Sequence, residues 1–289
     1  MVATQERPAA GTIAIAPGKN GIGAEVSGID IAGPVSDAQV AAIEQALVVH
    51  KVLFFRDQAM TSRQQLAFGR RFGPLEIHPF ASFKTFVSPP EEPELIIVEA
   101  LPENPMVAEA WHSDVTWRET PAMASILRVT DVPEAGGDTM WSDMAAAYAD
   151  LDDATQRHLS SLTAIHDWHQ FRNVLHMTGS TPEQIAELIE RFPPMEHPVV
   201  RTHPVSGEKI IYVNGNFTVK IKGMSERESD ALLQRLYKLA EIPAYHARMH
   251  WAPGSIAFWD NRGTQHSVVG GVKGYRRMER VTIAGDRPF

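Results

Sequence analysis

Three side chains suited to binding one metal ion lie in two distant parts of this sequence. His112 and Asp114 are separated by one residue, and His266 follows 152 residues after Asp114. Alternate residues of a β-strand point to the same side, so a strand over residues 111–116 would direct both side chains at one ion. Two histidines and one carboxylate on one face of an octahedral metal leave other positions open, as in non-haem Fe(II) oxygenases. The pattern therefore predicts a fold that brings a distant strand, carrying His266, beside this one.

Short strands with inserted helices are predicted over the rest of the chain. Sequences of the form Ser/Thr-x-x-Glu/Gln mark helix starts at Ser36, Thr61, Thr181 and Ser225. The second of these helices is expected to end at Gly73. Strands are expected at Val52 to Phe55, Ser125 to Thr130, Ser255 to Trp259 and Arg276 to Ala284. We therefore expect a mainly β fold with inserted helices (α+β), with a double-stranded β-helix, or jelly roll, at its core.

Length and composition favour one large domain. The 289 residues are 44% hydrophobic and 21% charged, which is ordinary for a globular protein. We expect a disordered tail over residues 1–12 and a single domain over residues 13–289. Within that domain, residues 167–194 are expected to form a lid insertion that covers the site.

The residue content also excludes several kinds of site. The chain has no cysteine, which rules out disulfides, thiol nucleophiles and cysteine-based zinc sites. A net charge of -8 argues against a surface that binds nucleic acid. No run approaches about 18 apolar residues, and the first residues lack an apolar signal region. We therefore expect no membrane span and a cytoplasmic location.

Basic side chains are concentrated near the end of this acidic chain. Arg276 and Arg280 are four residues apart in a predicted strand, so both point to one face and Arg277 to the other. Two arginines inside an apolar barrel are costly to bury unless they meet anions. The guanidinium fork suits a carboxylate or a sulfonate, which indicates an anion pocket near the metal. In the alternative arrangement, both arginines pair with acidic side chains of the barrel.

Six motifs together point to a known family. They are Trp111-His112-Ser113-Asp114, Gly136-Gly137-Asp138-Thr139, His197-Pro198-Val199-Val200-Arg201-Thr202-His203-Pro204, Trp259-Asp260-Asn261-Arg262, Gln265-His266 and the final Arg276 with Arg280-Val281-Thr282. With these motifs the chain resembles the taurine dioxygenase / aryloxyacetate dioxygenase family of Fe(II)- and 2-oxoglutarate-dependent oxygenases. The resemblance covers nearly the whole chain and implies a jelly-roll dioxygenase domain.

The resemblance also implies which residues hold the metal and the cosubstrate. The iron ligands of the family match His112, Asp114 and His266, which form the expected catalytic centre. The Thr and Arg that hold the far carboxylate of 2-oxoglutarate match Thr139 and Arg276. Counting forward from His266 in the family pattern would land on residue 277 instead. We choose Arg276 because it shares a strand face with the later arginine.

The substrate side of the pocket follows from the same resemblance. The second arginine of the family pattern, which meets the anionic substrate or the cosubstrate, matches Arg280. His78 matches a histidine that binds sulfonate in the taurine branch, and Phe217 matches a pocket-lining phenylalanine. Ala81 and Ala108 stand where the taurine enzyme has Tyr and Asn. These departures leave room for a larger or more apolar tail than that of taurine.

The implied reaction is hydroxylation of a small anionic organic substrate, with Fe(II), 2-oxoglutarate and O2. A taurine-like sulfonate would release sulfite and an aldehyde, and alkyl sulfates and aryloxyalkanoates are alternatives. Two interpretations outside the family also remain open: a zinc hydrolase that uses the same three ligands, and a non-catalytic anion-binding protein. A homo-oligomer (dimer or tetramer) is expected, with neither nucleic acid nor membrane as a partner.

Overall fold

The computed structural model describes residues 13–81, 87–101 and 108–289 of the chain. The tail expected over residues 1–12 lies outside these ranges. Within them the structure is mainly β with inserted helices, as the sequence predicts. None of the helices in these ranges has both the length and the apolar character of a membrane span.

The described ranges contain fifteen strands and seven α-helices. The strands are β1 (Ala14–Pro17), β2 (Ala24–Ser27), β3 (Val52–Phe55), β4 (Leu95–Ala100), β5 (Ala124–Asp131), β6 (Thr139–Asp143), β7 (Thr163–His166), β8 (Met195–Pro198), β9 (Val200–Thr202), β10 (Lys209–Ile211), β11 (Thr218–Ile221), β12 (His246–Met249), β13 (Ile256–Asp260), β14 (Thr264–Val268) and β15 (Arg276–Ile283). The helices are α1 (Asp37–His50), α2 (Ser62–Gly69), α3 (Met144–Ala149), α4 (Asp153–Ser160), α5 (His169–Met177), α6 (Pro182–Arg191) and α7 (Glu226–Tyr237). Two short 3-10 turns, Lys238–Glu241 and Pro243–Tyr245, follow α7.

Two sheets that share a buried core form the centre of the molecule. The larger sheet has the strand order β1-β2-β3-β13-β5-β15-β4, and the smaller has the order β12-β6-β14. Phe54, Leu127 and Met278 of the larger sheet form one buried cluster with Trp141 and Met249 of the smaller. Strands distant in sequence are neighbours in both sheets, which is the connectivity of a jelly roll. This arrangement brings β14, which carries His266, next to β6 and to His112.

Helices α1 and α2 cover the other face of the larger sheet. Both begin with the predicted capping boxes, at Ser36 and Thr61. Their apolar residues form one buried cluster with the sheet. The prediction that α2 ends at Gly73 is wrong, because the helix ends at Gly69. After Gly69 the backbone hydrogen bonds join residues three positions apart instead of four, as from Phe72 N to Gly69 O (3.0 Å). The α-helix therefore ends before Gly73.

The middle of the chain forms a further layer of helices and small sheets. β7, β8 and β11 make a three-stranded sheet, and β9 pairs with β10. Helices α3, α4 and α7 pack with these strands in one buried cluster. Helices α5 and α6, which occupy the predicted lid segment, pack in another cluster that contains Val115 and Phe217. The lid segment is therefore helical and lies next to the chain that follows Asp114.

Candidate metal centre

The three predicted ligands converge in the folded chain. Metal-binding atoms of His112, Asp114 and His266 lie within 4.8 Å of one another, and all three side chains are buried. His112 and His266 form an antiparallel bridge with two backbone hydrogen bonds, of 3.1 Å and 2.7 Å. Their imidazole centroids are 4.3 Å apart. This pairing of His112 with β14 brings His266 beside the other two ligands, although it is distant from them in the sequence.

The strand expected over residues 111–116 is not formed. Only His112 makes a β-bridge, and a turn begins at Asp114. Val115 in this turn has φ of 47°, in the left-handed region that interrupts a strand. Ser113 Oγ donates to the carbonyl oxygen of Thr264 (2.5 Å), so side chains as well as backbone tie this segment to the barrel. The strand prediction is wrong, although the two side chains still meet at one point.

The carboxylate of Asp114 is held at both oxygens. Oδ1 accepts a hydrogen bond from Arg280 Nη1 (2.7 Å), and Oδ2 accepts one from Ser125 Oγ (2.8 Å). Burial acts to raise the pKa of Asp114, but Arg280, the two neighbouring imidazoles and the Ser125 hydroxyl together lower it well below its ordinary value. The group is therefore ionised, which is the form that binds a divalent cation.

The two histidines are held in the neutral form that can bind a metal. His112 Nδ1 lies 2.8 Å from the carbonyl oxygen of Ala110, which places a proton on Nδ1 and leaves the lone pair on Nε2. Burial is the main reason why the pKa of His112 is lowered. Burial, with the adjacent His112, lowers the pKa of His266 to about 3. Two neutral imidazoles and one carboxylate fit a divalent metal of the facial-triad type.

The two neighbouring arginines of β15 have different surroundings. Arg276 is 2% exposed, has no carboxylate partner among the described residues, and leaves its buried Nε without a hydrogen bond. Burial lowers the pKa of Arg276 to about 10. Arg277 Nη1 instead donates to Glu279 Oε1 (2.8 Å) and Thr130 Oγ1 (3.1 Å). Among the described residues, Arg276 is therefore a buried cation without a carboxylate partner, as expected for a site that receives an anion.

Glycine beside this arginine leaves room for its side chain. A Cβ at Gly137 would lie 3.1 Å from both Cδ and Nε of Arg276, and Gly137 has φ of 76°. Thr139, two residues further on, is buried at the start of β6 and accepts a hydrogen bond from Trp251 Nε1 (3.0 Å). The adjacent Asp138 is paired with Arg248 (2.7 Å), which anchors the loop. The motif predicted to hold 2-oxoglutarate thus borders the Arg276 side chain.

Arg280 and His78 line a small cavity next to the triad. The lining residues are Glu76, His78, Ile96, Asp114, Val115, Arg280 and Thr282. His78 is buried, and burial followed by the charge of Arg280 lowers its pKa to about 3. Its Nδ1 accepts a hydrogen bond from Phe80 N (3.2 Å), so the single ring proton is on Nε2. The cavity therefore combines a cation and a neutral N–H donor.

Aromatic side chains form a wall beside the triad. The ring of Phe217 is 6.2 Å from that of His112 and 5.8 Å from that of Phe171 on α5. Phe80, two residues after His78, is 5.8 Å from Phe171 and stacks on Trp117 at 5.3 Å. Phe217 therefore lies beside the triad, and its role as a pocket-lining residue stays a prediction. The wall joins the triad to the predicted lid segment.

Two features of the site were not predicted from the sequence. Ser125 and Asn261 connect to the Asp114 carboxylate by hydrogen bonds, although Ser125 reads as an ordinary strand residue. Glu76 also lines the cavity and pairs with Arg118 (2.6 Å), and burial is the main cause of its raised pKa. Of these residues, only Asn261 could have been found from the sequence, because it belongs to one of the six motifs.

A double-sheet barrel that brings two neutral histidines and one carboxylate together at a buried site defines the facial-triad class of non-haem metal oxygenases. The sequence profile described as "Taurine catabolism dioxygenase TauD, TfdA family" matches residues 14–282. The chain therefore belongs to the TauD/TfdA family of dioxygenases.

Individual relatives cover almost the full chain. The "Alpha-ketoglutarate-dependent sulfate ester dioxygenase" of Pseudomonas putida is 34% identical in an alignment of 277 residues that covers 92% of this chain and 88% of the relative. The "(S)-phenoxypropionate/alpha-ketoglutarate-dioxygenase" of Sphingobium herbicidovorans is 32% identical over 94% of this chain and 95% of its own. The crystal structure of a putative taurine dioxygenase from Burkholderia xenovorans has a TM-score of 0.81 at 33% identity, covering 96% of this chain and 94% of that one.

These comparisons confirm several predictions made from the sequence. The family, the jelly-roll fold, the dioxygenase class, and the requirement for Fe(II) and 2-oxoglutarate are all confirmed. They leave the substrate open, because the relatives are named for sulfate esters, sulfonates and aryloxyalkanoates. The roles of single residues stay predictions.

Proposed function

We propose that this dioxygenase hydroxylates the carbon next to the head group of a small alkyl sulfonate or alkyl sulfate ester. The observation that carries this proposal is the cavity beside Asp114, in which Arg280 and the neutral His78 face a common space. Both head groups present three oxygens that share one negative charge. A guanidinium and an imidazole N–H suit such a group.

Hydroxylation would make either substrate unstable in the same way. A sulfonate hydroxylated on the carbon bound to sulfur splits into an aldehyde and sulfite. A sulfate ester hydroxylated on the carbon bound to oxygen splits into an aldehyde and sulfate. When bound, Fe(II) with 2-oxoglutarate and O2 supplies the oxidation, and 2-oxoglutarate is consumed to succinate and CO2.

Different residues would bind the metal and 2-oxoglutarate. His112, Asp114 and His266 would hold the metal, and the ionised carboxylate would offset part of its charge. Arg276 and Thr139 would fix the far carboxylate of 2-oxoglutarate, so that its other end is oriented toward the metal.

The organic tail of the substrate would contact apolar side chains. Phe217 stands between His112 and Phe171 of α5, on the side of the predicted lid. Ala81 is half-buried beside this region, where the taurine enzyme of the resemblance carries a larger polar residue. We expect a tail longer or more apolar than the aminoethyl group of taurine, enclosed by residues 167–194.

A substrate panel tests this function. Purified protein with Fe(II), 2-oxoglutarate and O2 is supplied with alkyl sulfonates, alkyl sulfate esters or aryloxyacetates, and succinate is measured. We expect sulfonates or sulfate esters to stimulate succinate formation. Sulfite or sulfate should be released in an amount equal to the succinate, and which of the two is released identifies the head group. Stimulation by aryloxyacetates alone would overturn the proposed head group.

The assignment of Arg276 has a matched control in its neighbour. We expect Arg276→Ala to raise the KM for 2-oxoglutarate roughly 10- to 100-fold, because a hydrogen bond to a charged group contributes about 1.5–3 kcal/mol. Arg277→Ala should leave this KM nearly unchanged, since Arg277 bonds to Glu279 and Thr130 on the other face. The reverse ranking, measured by initial rates of succinate formation, would assign 2-oxoglutarate to Arg277.

The alternatives outside the family are set aside. A zinc hydrolase would give no role to Arg276, whose buried Nε has no hydrogen-bond partner among the described residues. A non-catalytic anion-binding protein is disfavoured because the family is one of dioxygenases. O2 and a small organic substrate are accordingly the expected partners. The homo-oligomer, the cytoplasmic location and the absence of nucleic-acid and membrane partners stay predictions, and light scattering of the purified protein tests the first.

A further inference from the structure

We infer that Ser125, Asn261 and Trp259 form a directed hydrogen-bonded chain that positions the Asp114 carboxylate and so sets the affinity of the metal site. None of the three is a ligand, and each acts through Asp114. The inference rests on the proposed function only in requiring that the triad binds a divalent metal. Its test uses the metal alone, so a wrong substrate assignment would leave it standing.

The chain is continuous and short at each step. Trp259 Nε1 donates to Asn261 Oδ1 (2.8 Å), and Asn261 Nδ2 donates to Ser125 Oγ (3.0 Å). Ser125 Oγ donates in turn to Asp114 Oδ2 (2.8 Å). Asn261 Oδ1 also accepts from Asp114 N at 3.4 Å, so one amide contacts both the backbone and, through Ser125, the carboxylate. All four residues are buried, with at most 5% of their surface exposed.

The direction of every proton in the chain is determined. An indole nitrogen can only donate, so Trp259 requires the oxygen of the Asn261 amide to face it. The amide nitrogen is then directed at Ser125 and occupies a lone pair of that hydroxyl. The hydroxyl proton is left to point at Asp114, which as an ionised carboxylate can only accept. A chain with one permitted direction holds the carboxylate in one orientation.

The same indole also touches the second ligand. The ring of Trp259 is 4.9 Å from the imidazole of His266 and 5.7 Å from the ring of Trp141. It therefore fixes Asp114 by hydrogen bonds and supports His266 by packing. Trp259 lies near the end of β13 and Asn261 just beyond it. Ser125 lies on the adjacent β5, opposite Trp259, so the larger sheet transmits this support.

Loss of the Ser125 hydroxyl would change what Asp114 binds. Oδ1 already accepts a hydrogen bond from Arg280, whose guanidinium can bind both oxygens of a carboxylate at once. Ser125 occupies Oδ2 and so opposes this bidentate pairing. Without it, Arg280 would compete with the metal for the second oxygen. The hydroxyl therefore keeps the carboxylate available as a ligand.

Ser125→Ala tests the inference directly, and Ser113→Ala is its matched control. Both serines are buried, and Ser113 is next to Asp114, but its hydroxyl bonds to the carbonyl of Thr264 instead of the carboxylate. The dissociation constant for Co(II) alone is measured anaerobically by competition with a chelator, together with the visible ligand-field spectrum. We expect Ser125→Ala to weaken Co(II) binding by about 10- to 100-fold and to alter the spectrum. Ser113→Ala should change the affinity by less than about threefold.

Two further variants test whether the three residues act as one chain. Trp259→Phe keeps the ring against His266 and removes only the Nε1 donor, so it should weaken Co(II) binding less than Ser125→Ala does. The double variant Ser125→Ala/Asn261→Ala should bind Co(II) about as weakly as the weaker single variant, because units of one network are not additive. Thermal unfolding of the metal-free proteins confirms that each variant is folded.

Two outcomes would overturn the inference. One is an unchanged Co(II) affinity and spectrum in both Ser125→Ala and Trp259→Phe. The other is an equal loss of affinity in Ser125→Ala and Ser113→Ala, which would mean that any lost hydroxyl near the site has the same effect. Because no substrate or 2-oxoglutarate is present, neither outcome depends on the substrate that is proposed above.

Discussion

Replacing Asp114 with alanine is expected to reduce substrate-dependent succinate formation by at least about a thousandfold, equivalent to ~4 kcal/mol of transition-state stabilisation. The side chain is the only carboxylate in the described triad and is ionised in its buried setting. Without it, two neutral imidazoles remain, and neither offsets the charge of a divalent metal. Initial rates at saturating Fe(II) and 2-oxoglutarate measure the loss.

The same variant also changes the surroundings of Arg280. Arg280 loses the carboxylate that accepts its hydrogen bond at 2.7 Å, so Asp114→Ala is expected to lower the melting temperature of the metal-free protein without preventing folding. Circular dichroism and thermal unfolding check that the variant is folded. Activity close to that of the unmodified protein in a folded Asp114→Ala variant would end the assignment of this residue as a ligand.

Replacing Arg280 with leucine is expected to weaken binding of the organic substrate. The KM for the sulfonate or sulfate ester should rise roughly 10- to 100-fold, because a charge-assisted hydrogen bond to the head group is lost. The KM for 2-oxoglutarate should change little if Arg276 holds that cosubstrate. The two Michaelis constants, measured separately, therefore distinguish the substrate role of Arg280 from the cosubstrate role.

Arg277→Leu is the matched control for this substitution. It removes the same charge from the same strand, but Arg277 lies on the opposite face and pairs with Glu279. Both Michaelis constants should stay near their original values in this variant. If Arg280→Leu raises the KM for 2-oxoglutarate more than the KM for the organic substrate, Arg280 would be assigned to cosubstrate binding instead.

The local rules of the sequence predicted the helices that begin with capping boxes. At Ser36, Thr61, Thr181 and Ser225, side chain and backbone form the reciprocal bonds that the sequence pattern implies. Such bonds join residues three positions apart, so a short window of sequence contains all the information. The division between Arg276 and Arg277 was also predictable, because β15 keeps its alternation across the register shift in its pairing with β5.

Contacts between distant segments account for what was missed. The backbone turns at Asp114, whose N–H donates to Oδ1 of Asn261, a residue 147 positions away in the sequence. Nothing in the local sequence of residues 111–116 indicates that the expected strand stops at Asp114. The pairing of Glu76 with Arg118 likewise joins segments 42 positions apart. Only the folded chain shows that these groups meet beside the cavity.

Anaerobic addition of Fe(II) and then 2-oxoglutarate tests the central claim most directly. Chelation of the metal by the cosubstrate within the His112, Asp114 and His266 triad predicts a visible charge-transfer absorption that saturates with one 2-oxoglutarate per site. The account predicts this absorption in the unmodified protein, its loss in Asp114→Ala, and a weaker affinity for 2-oxoglutarate in Arg276→Ala. A protein that binds Fe(II) but develops no such absorption, or develops it equally in Asp114→Ala, would contradict the account.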